Sequence, residues 1–422
     1  MDYKNFIPQG ASYQITTGRE TINSVSFSGN KFESFTGKDK TEQVARVLHN
    51  NKLSVARSTQ PNSTQALVQQ AAEMVPFGSD HDVPFVGATT IAPMNLTSDK
   101  TLSPKEMADI AGGLMADLQA LDSRISASAS VTSKKERMSI LTSDGFDNSY
   151  SKTNWNISGN ILLTVDGDSL GIYESDREIG PDFNVQLVKD TIAQKLEYAK
   201  NTAPFKAGAY PVIFSPMEAN FLTLPFCRSL GGQAVYQKVS PWGDKLGQTL
   251  LDPRFTLVDD ATIDRDWRSL PFDREGTPTR RNVLIQNGRL ENFILDRKFA
   301  ARLGMESTGN GNGLNYLHID PGTTPLAEMI KSIDYGLLIE ESMGAWSGNP
   351  YAGIVSGTIA TGLLIENGQI KGRVKDCMFT INAFDHFKNH LLDISKEVES
   401  CGFMSPNRFP YIALDQVVIS SN

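Results

Sequence analysis

Two segments, VLIQNGRLENFIL (283–295) and LLIENGQIKGRV (363–374), share one layout: an apolar run, Asn-Gly, then a second run. Asn-Gly between such runs is the strongest short-range hairpin signal, because both central residues of a type I′ turn take positive φ. Hairpins at Asn287-Gly288 and Asn367-Gly368 commit the chain beyond about residue 240 to short strands and tight turns. Two similar copies suggest a duplication, for which two hairpins alone are weak support.

The texture before residue 230 is different. SYQITTG, INSVSFSG and KLSVARST within 11–58 read as strands, and NSTQALVQQAAEMV (62–75) reads as a helix packed on them. Residues 76–101 carry little periodicity and read as a connection. Ser103-Pro104-Lys105-Glu106 is a capping box with Pro at the first helical position. Met107, Ile110, Ala111, Leu114, Leu118 and Leu121 then recur every three or four residues and mark one buried stripe. Strand-like pieces follow at 124–131, 136–142 and 154–165, a helix at 182–201, and a strand at YPVIF (210–214). In SPMEANFLTLPFCRSLGG (215–232), Ser215 caps a helix, Pro216 takes its first position, and Pro225 interrupts it. The expected fold is α+β: a mixed α/β N-terminal part followed by a β-rich C-terminal domain. The expected divisions are 1–100, 101–230 and 231–422.

Composition narrows the function classes. The chain has 422 residues and a net charge of −8, which argues against a dominant nucleic-acid role. No apolar run approaches the ~18 residues of a membrane span, and MDYKNFIPQG lacks the layout of a signal peptide. Three cysteines, Cys227, Cys377 and Cys401, cannot all be paired, which fits reduced thiols in a cytoplasm.

The residues offer several candidates for chemistry, each with a plainer reading beside it. Cys227 next to Arg228 could be a nucleophile of lowered pKa, but no His lies near it in sequence, and a lone Cys is more often a small buried hydrophobe. Among the five histidines, only His386 and His390 have the i, i+4 spacing that could share a metal. No Glu stands between them, so an exposed helix edge is the default. FDREGTPTRR (272–281) reads as solvated ion pairs around a turn at Gly276 and Pro278. STGNGNG (307–313) resembles a phosphate loop but lacks the GxxxxGK[ST] pattern.

The order and spacing of YPVIFSP, KLGQTLLDPRFTLVDD (245–260), FDREGTPTRRNVLIQNGRL and ARLGMESTGNG (301–311) resemble the TldD/PmbA family. IVSGTIATGLLIENGQIKGRVKD (354–376) resembles its closing module. The N-terminal half is similar more loosely, as a mixed sheet with helices. The resemblance implies a dimer that encloses a lumen. It also implies a zinc peptidase subunit with HExxxH and a distant cysteine ligand, paired with a related subunit that lacks the motif. The pair trims or degrades unfolded peptides.

Laid on the family, HExxxH falls at Leu224-Pro225-Phe226-Cys227-Arg228-Ser229, where both histidines and the glutamate are missing. The distant cysteine falls at Cys401. One thiol cannot hold a catalytic zinc, which takes about three protein ligands. The resemblance therefore implies a PmbA/TldE-type subunit with no catalytic residue and no cofactor of its own, zinc being carried by an HExxxH partner. Leu224, Pro225, Ser229 and Cys401 are the degenerate positions. The expected partners are that subunit, a second copy in its absence, and extended peptides, with no nucleic acid and no membrane. Two alternatives stand beside this reading. One is a homodimeric peptide-binding scaffold without hydrolase activity; the other is an independent hydrolase using Cys227.

Overall fold

The computed structural model describes residues 3–165, 168–311, 313–401 and 407–421. The chain forms two compact units, the first from Met1–Ala193, Thr262–Thr279 and Asp296–Asn312, the second from Gln194–Ala261, Arg280–Leu295 and Gly313–Asn422.

Unit 1 is built on a seven-stranded sheet. Its strands are β1 (Ser12–Ser28), β2 (Lys31–His49), β3 (Lys52–Ser58), β4 (Ser79–Asp80), β5 (Ile125–Thr142), β6 (Asp147–Val165) and β7 (Asp168–Glu178). They lie in the order β4-β3-β2-β1-β5-β6-β7, and every pairing is antiparallel. Two helices take separate ends of these long strands. α1 (Thr64–Met74) sets Leu67, Val68 and Ala71 on Tyr13, Ile15, Ala45 and Val47. α2 (Pro104–Gln119) starts at the capping box: Ser103 Oγ accepts from Glu106 N at 3.3 Å, and Glu106 Oε2 accepts from Ser103 N at 2.7 Å. Its Leu118, with Ile192 of α3 (Val185–Ala199), lies so close to Gly159 of β6 that an added Cβ would sit 2.9 Å from one and 3.1 Å from the other.

The middle of the strands is polar on both faces. Arg19 pairs with Asp39 at 2.6 Å, and Lys134 bridges Glu20 (2.9 Å) and Glu136 (2.7 Å). Hydroxyl pairs at Ser24–Thr132 and Ser130–Ser158, both 2.8 Å, lie beyond this stretch, on the face opposite the buried Val25, Val131 and Ile157. The pieces expected at 124–131 and 136–142 are thus one strand, β5, and SYQITTG and INSVSFSG are both β1. Where neither face is buried, alternation of apolar and polar residues disappears although pairing continues.

Unit 2 holds an eleven-stranded sheet with β8 (Gly208–Phe214), β9 (Leu257–Asp260), β10 (Arg281–Gln286), β11 (Arg289–Leu290) and β12 (Leu317–Ile319). It continues through β13 (Tyr335–Met343), β14 (Ile354–Glu366), β15 (Gln369–Val374), β16 (Cys377–Asn382), β17 (Leu391–Cys401) and β18 (Asn407–Ser421). β8, β13, β14, β16 and β18 close into a ring, because β18 pairs with both β16 and β8. Closure removes the exposed edges that an open sheet would present. The mixed pairing implied for the N-terminal half occurs here instead: β13 runs parallel to β8, and β12 to β18.

The α+β class with a β-rich C-terminal part is as expected. The divisions expected at 100 and 230 do not coincide with the two units. β1 pairs with β5 across position 100, and β8 pairs with β18 across position 230.

Both Asn-Gly turns have the expected geometry, with φ of 48° and 75° at Asn287-Gly288 and 51° and 69° at Asn367-Gly368. At Gly288 a Cβ would stand 2.2 Å from the Leu251 carbonyl oxygen. Gly288→Ala should therefore lower stability by more than about 2 kcal/mol, since strain at positive φ adds to a backbone clash. Gly171→Ala, in open space on β7, should cost less than about 1 kcal/mol. Urea titration of both variants measures the difference.

Candidate functional site

The segment that carries the degenerate motif is two short helices, α4 (Pro216–Leu222) and α5 (Leu224–Leu230), joined at Thr223. Ser215 caps α4: its Oγ accepts from Glu218 N at 3.4 Å and donates to the Glu340 carbonyl at 2.7 Å. Pro225 does not interrupt the second helix. It lies in the first turn of α5, where a missing N–H is tolerated, and the break falls before it, at Thr223.

Three of the six motif positions, Pro225, Phe226 and Ser229, are buried. Leu224 is half-buried, and Ser229 Oγ donates to the Pro225 carbonyl at 2.7 Å. Phe226 lies among Trp242, Phe255 and Phe387, with ring centroids 5.3, 5.7 and 5.1 Å away. Arg228 is exposed.

The residue Cys227 is partly exposed, but burial of its thiol, with the Asp259 carboxylate nearby, pushes its pKa up to about 12. Asp259 is fixed by N–H groups of Asn315 (3.0 Å) and Tyr316 (2.8 Å). A thiol held protonated at neutral pH is a poor nucleophile, which weakens the reading of Cys227 as a catalytic group.

Cys401 is buried and stands opposite Asn407 in the β17–β18 pair. Asn407 Nδ2 donates to Asn220 Oδ1 of α4 at 2.7 Å, and Asn407 Oδ1 accepts from Leu317 N at 3.2 Å. The fold thus brings Cys401 to the strand pair against which α4 rests. The motif positions do not fit a catalytic zinc: Leu224, Pro225 and Ser229 carry no imidazole or carboxylate where HExxxH would have them, and Cys401 adds one thiol. Among the described residues no three His, Cys, Asp or Glu side chains converge as metal ligands.

The rings of His386 and His390 lie 5.4 Å apart between centroids, tilted by 53° to each other. However, His386 Nδ1 and Nε2 face the carbonyls of Asn382 (2.9 Å) and Gln416 (3.4 Å), so neither nitrogen is turned toward a shared ion.

FDREGTPTRR is not a set of solvated ion pairs. Asp273 is buried, and its carboxylate accepts N–H from Glu275 (2.8 Å), Thr277 (3.0 Å) and Gly311 (2.7 Å). Glu275 Oε2 accepts from Arg297 N at 3.0 Å, at the start of the helix Arg297–Leu303. The Gly-rich loop lies against this turn: at Gly309, φ is +74° and a Cβ would meet the Pro278 carbonyl oxygen at 2.6 Å. Gly and Asn serve close backbone approach here. Asn312 lies outside the described residues.

Sequence reasoning missed Glu218. It is fully buried, accepts from Ser342 N (2.7 Å) and Ser342 Oγ (2.6 Å), and burial raises its pKa to about 7. The pattern Ser215-Pro-Met-Glu repeats the capping box of Ser103 and was the available signal.

Two measurements test this geometry. Cys227 should resist iodoacetamide in the native protein at about pH 8 and react after unfolding, as read by peptide mass spectrometry. Glu218 holds its proton more tightly folded than unfolded, so stability should fall as pH rises from about 4.5 through 7. Glu275 shifts the same way, so Glu218→Gln should remove only the Glu218 share of that fall, on the order of 2–3 kcal/mol, in thermal unfolding across the range.

Residues 207–421 match the PmbA/TldA metallopeptidase C-terminal domain. The metalloprotease PmbA homologue of Haemophilus influenzae is 27% identical over 286 residues, which are 66% of this chain and 61% of that protein. Metalloprotease PmbA of Escherichia coli O157:H7 is 26% identical over 375 residues, 84% of this chain and 80% of that one. The fold is that of TldE from Thermococcus kodakarensis, with a TM-score of 0.91 at 24% identity over 99% of this chain and 98% of that chain.

Proposed function

The chain belongs to the PmbA/TldD family, and from that premise we propose that it is the metal-free subunit of a two-chain cytoplasmic peptidase that processes or degrades unfolded peptides. Its relatives are named metalloproteases, and α5 is the observation that carries the assignment for this chain. Where HExxxH would present two imidazoles and a general base, α5 has Leu224, Pro225, Phe226, Cys227, Arg228 and Ser229. Zinc and its activated water then belong to a homologous partner with the intact motif. This chain supplies the second half of the dimer, and in the partner's absence it pairs with itself through the same surface. Among the described residues Cys227, Cys377 and Cys401 form no disulfide, which agrees with a reducing compartment.

The test is metal analysis and peptide cleavage on the purified chain, alone and mixed with an HExxxH relative from the same genome. Alone it should bind no stoichiometric zinc and leave unfolded peptides intact. The mixture should cleave them, and o-phenanthroline should stop it. One equivalent of zinc with turnover on the chain alone, both lost in Cys401→Ser, would overturn the assignment. Peptide binding without cleavage in any mixture would favour a homodimeric scaffold.

A further inference from the structure

A second region, in unit 1, gathers three arginines, with Glu275 and Asp273 as the acidic groups facing Arg46. On the β2–β3 pair Arg46 stands opposite Val55 and Arg57 opposite Val44, so the two guanidiniums share one face as diagonal neighbours. Gln14, opposite Arg46 on β1, donates Nε2–H to the Arg274 carbonyl at 2.9 Å and brings the third arginine to the same place. Among the described residues none of these three guanidiniums makes a hydrogen bond or an ion pair. Arg57 and Arg274 are exposed, where that is ordinary; Arg46 is half-buried, where it is not. Burial and both neighbouring arginines push its pKa down, while Glu275 and Asp273 oppose them.

Arg46 opens on a recess of about 20 Å³ that Arg297, His81 and Glu275 also line. Arg57 edges a wider open groove of about 370 Å³ with Glu42, Ser58 and Thr59. Holding like charges together while a half-buried guanidinium lacks an acceptor costs stability. That arrangement in a chain of net charge −8 suits an anion brought from outside. A guanidinium fork matches a planar carboxylate through two parallel N–H···O bonds. A recess with room for about one or two water-sized groups admits carboxylate oxygens better than a tetrahedral phosphate.

We propose that this recess binds a carboxylate of an extended peptide, with Arg46 as its bidentate anchor and Arg57 and Arg274 flanking the approach. The carboxylate chemistry stands on these residues alone; the peptide as its source rests on the function proposed above.

Glu275 adds a pH dependence. It faces Arg46 from β2, the N–H of Arg297, and the carboxylates of Asp273 and Asp296, with His81 on the far wall, and burial raises its pKa to about 7. Ionised, it competes for Arg46; neutral, it leaves Arg46 to the ligand. His81, whose pKa burial lowers, adds positive charge only at the acid end.

Calorimetric titration of the full chain with a neutral hexapeptide bearing a free C-terminus, with its C-terminal amide, and with sodium acetate tests the assignment. The free acid should bind at least ~10-fold more tightly than the amide at about pH 6, and the preference should shrink toward pH 8. Arg46→Gln should abolish the preference while keeping the native unfolding temperature, Arg46→Lys should retain part of it, and Glu275→Gln should keep it but remove the pH dependence. Equal binding of acid and amide, or an unchanged preference in Arg46→Gln, would overturn the site. Acetate binding as tightly as the peptide would overturn the peptide as its source. Binding is the readout, so the outcome is independent of whether any mixture cleaves peptides.

Discussion

Buried carboxylates that accept backbone N–H groups hold this chain together at the points where loops meet. Asp273 takes three such donors from two stretches of unit 1. Asp259 takes two ahead of β12 in unit 2. Each buried N–H left without an acceptor would cost about 1–3 kcal/mol, so one carboxylate settles several such costs at once. The opposing term is visible too: despite three hydrogen bonds, desolvation still raises the pKa of Asp273. Charge is kept inside because loops without regular pairing must satisfy their backbone somewhere.

The two S-P-x-E sequences illustrate how context redirects one local signal. At Ser103 the helix start is exposed and Glu106 folds back to its own cap. At Ser215 the cap N–H is already bonded to the Ile339 carbonyl of β13, so Glu218 has no local donor to return to. Its carboxyl reaches Ser342 instead, beside the register shifts of β13 at Ile339–Ser342. The same four-residue pattern thus closes a local box in one place and pins a helix to a strand in the other.

Legibility in the sequence followed from how local the determining interaction was. The Asn-Gly turns, the Ser103 box and the buried stripe of α2 depend on neighbours within a few residues, and all could be read in advance. The continuity of β1 and β5 could not, because their middle spans bury no face and rely on strands far away in sequence. Asp273 read as a surface charge because one of its three donors, Gly311, comes from a loop far along the sequence, although Glu275 and Thr277 lie within its own turn. The absence of histidine and glutamate from positions 224–229 was legible directly. The placement of Pro225 was not, because the chain breaks its helix at Thr223 and starts a new one around the proline.

That break also explains how α5 can persist without metal ligands. In a zinc site the metal contributes to holding its helix, since binding free energy is coupled to folding. Here the helix is held by other means. Phe226 fills an aromatic cluster with Trp242, Phe255 and Phe387, and Ser229 spends its hydroxyl on the Pro225 carbonyl. Asn407 ties β18 to Asn220 of α4. These contacts use apolar area and neutral hydrogen bonds, neither of which needs an ion to be present. A chain built this way keeps the helix pair in position by apolar packing and neutral hydrogen bonds alone.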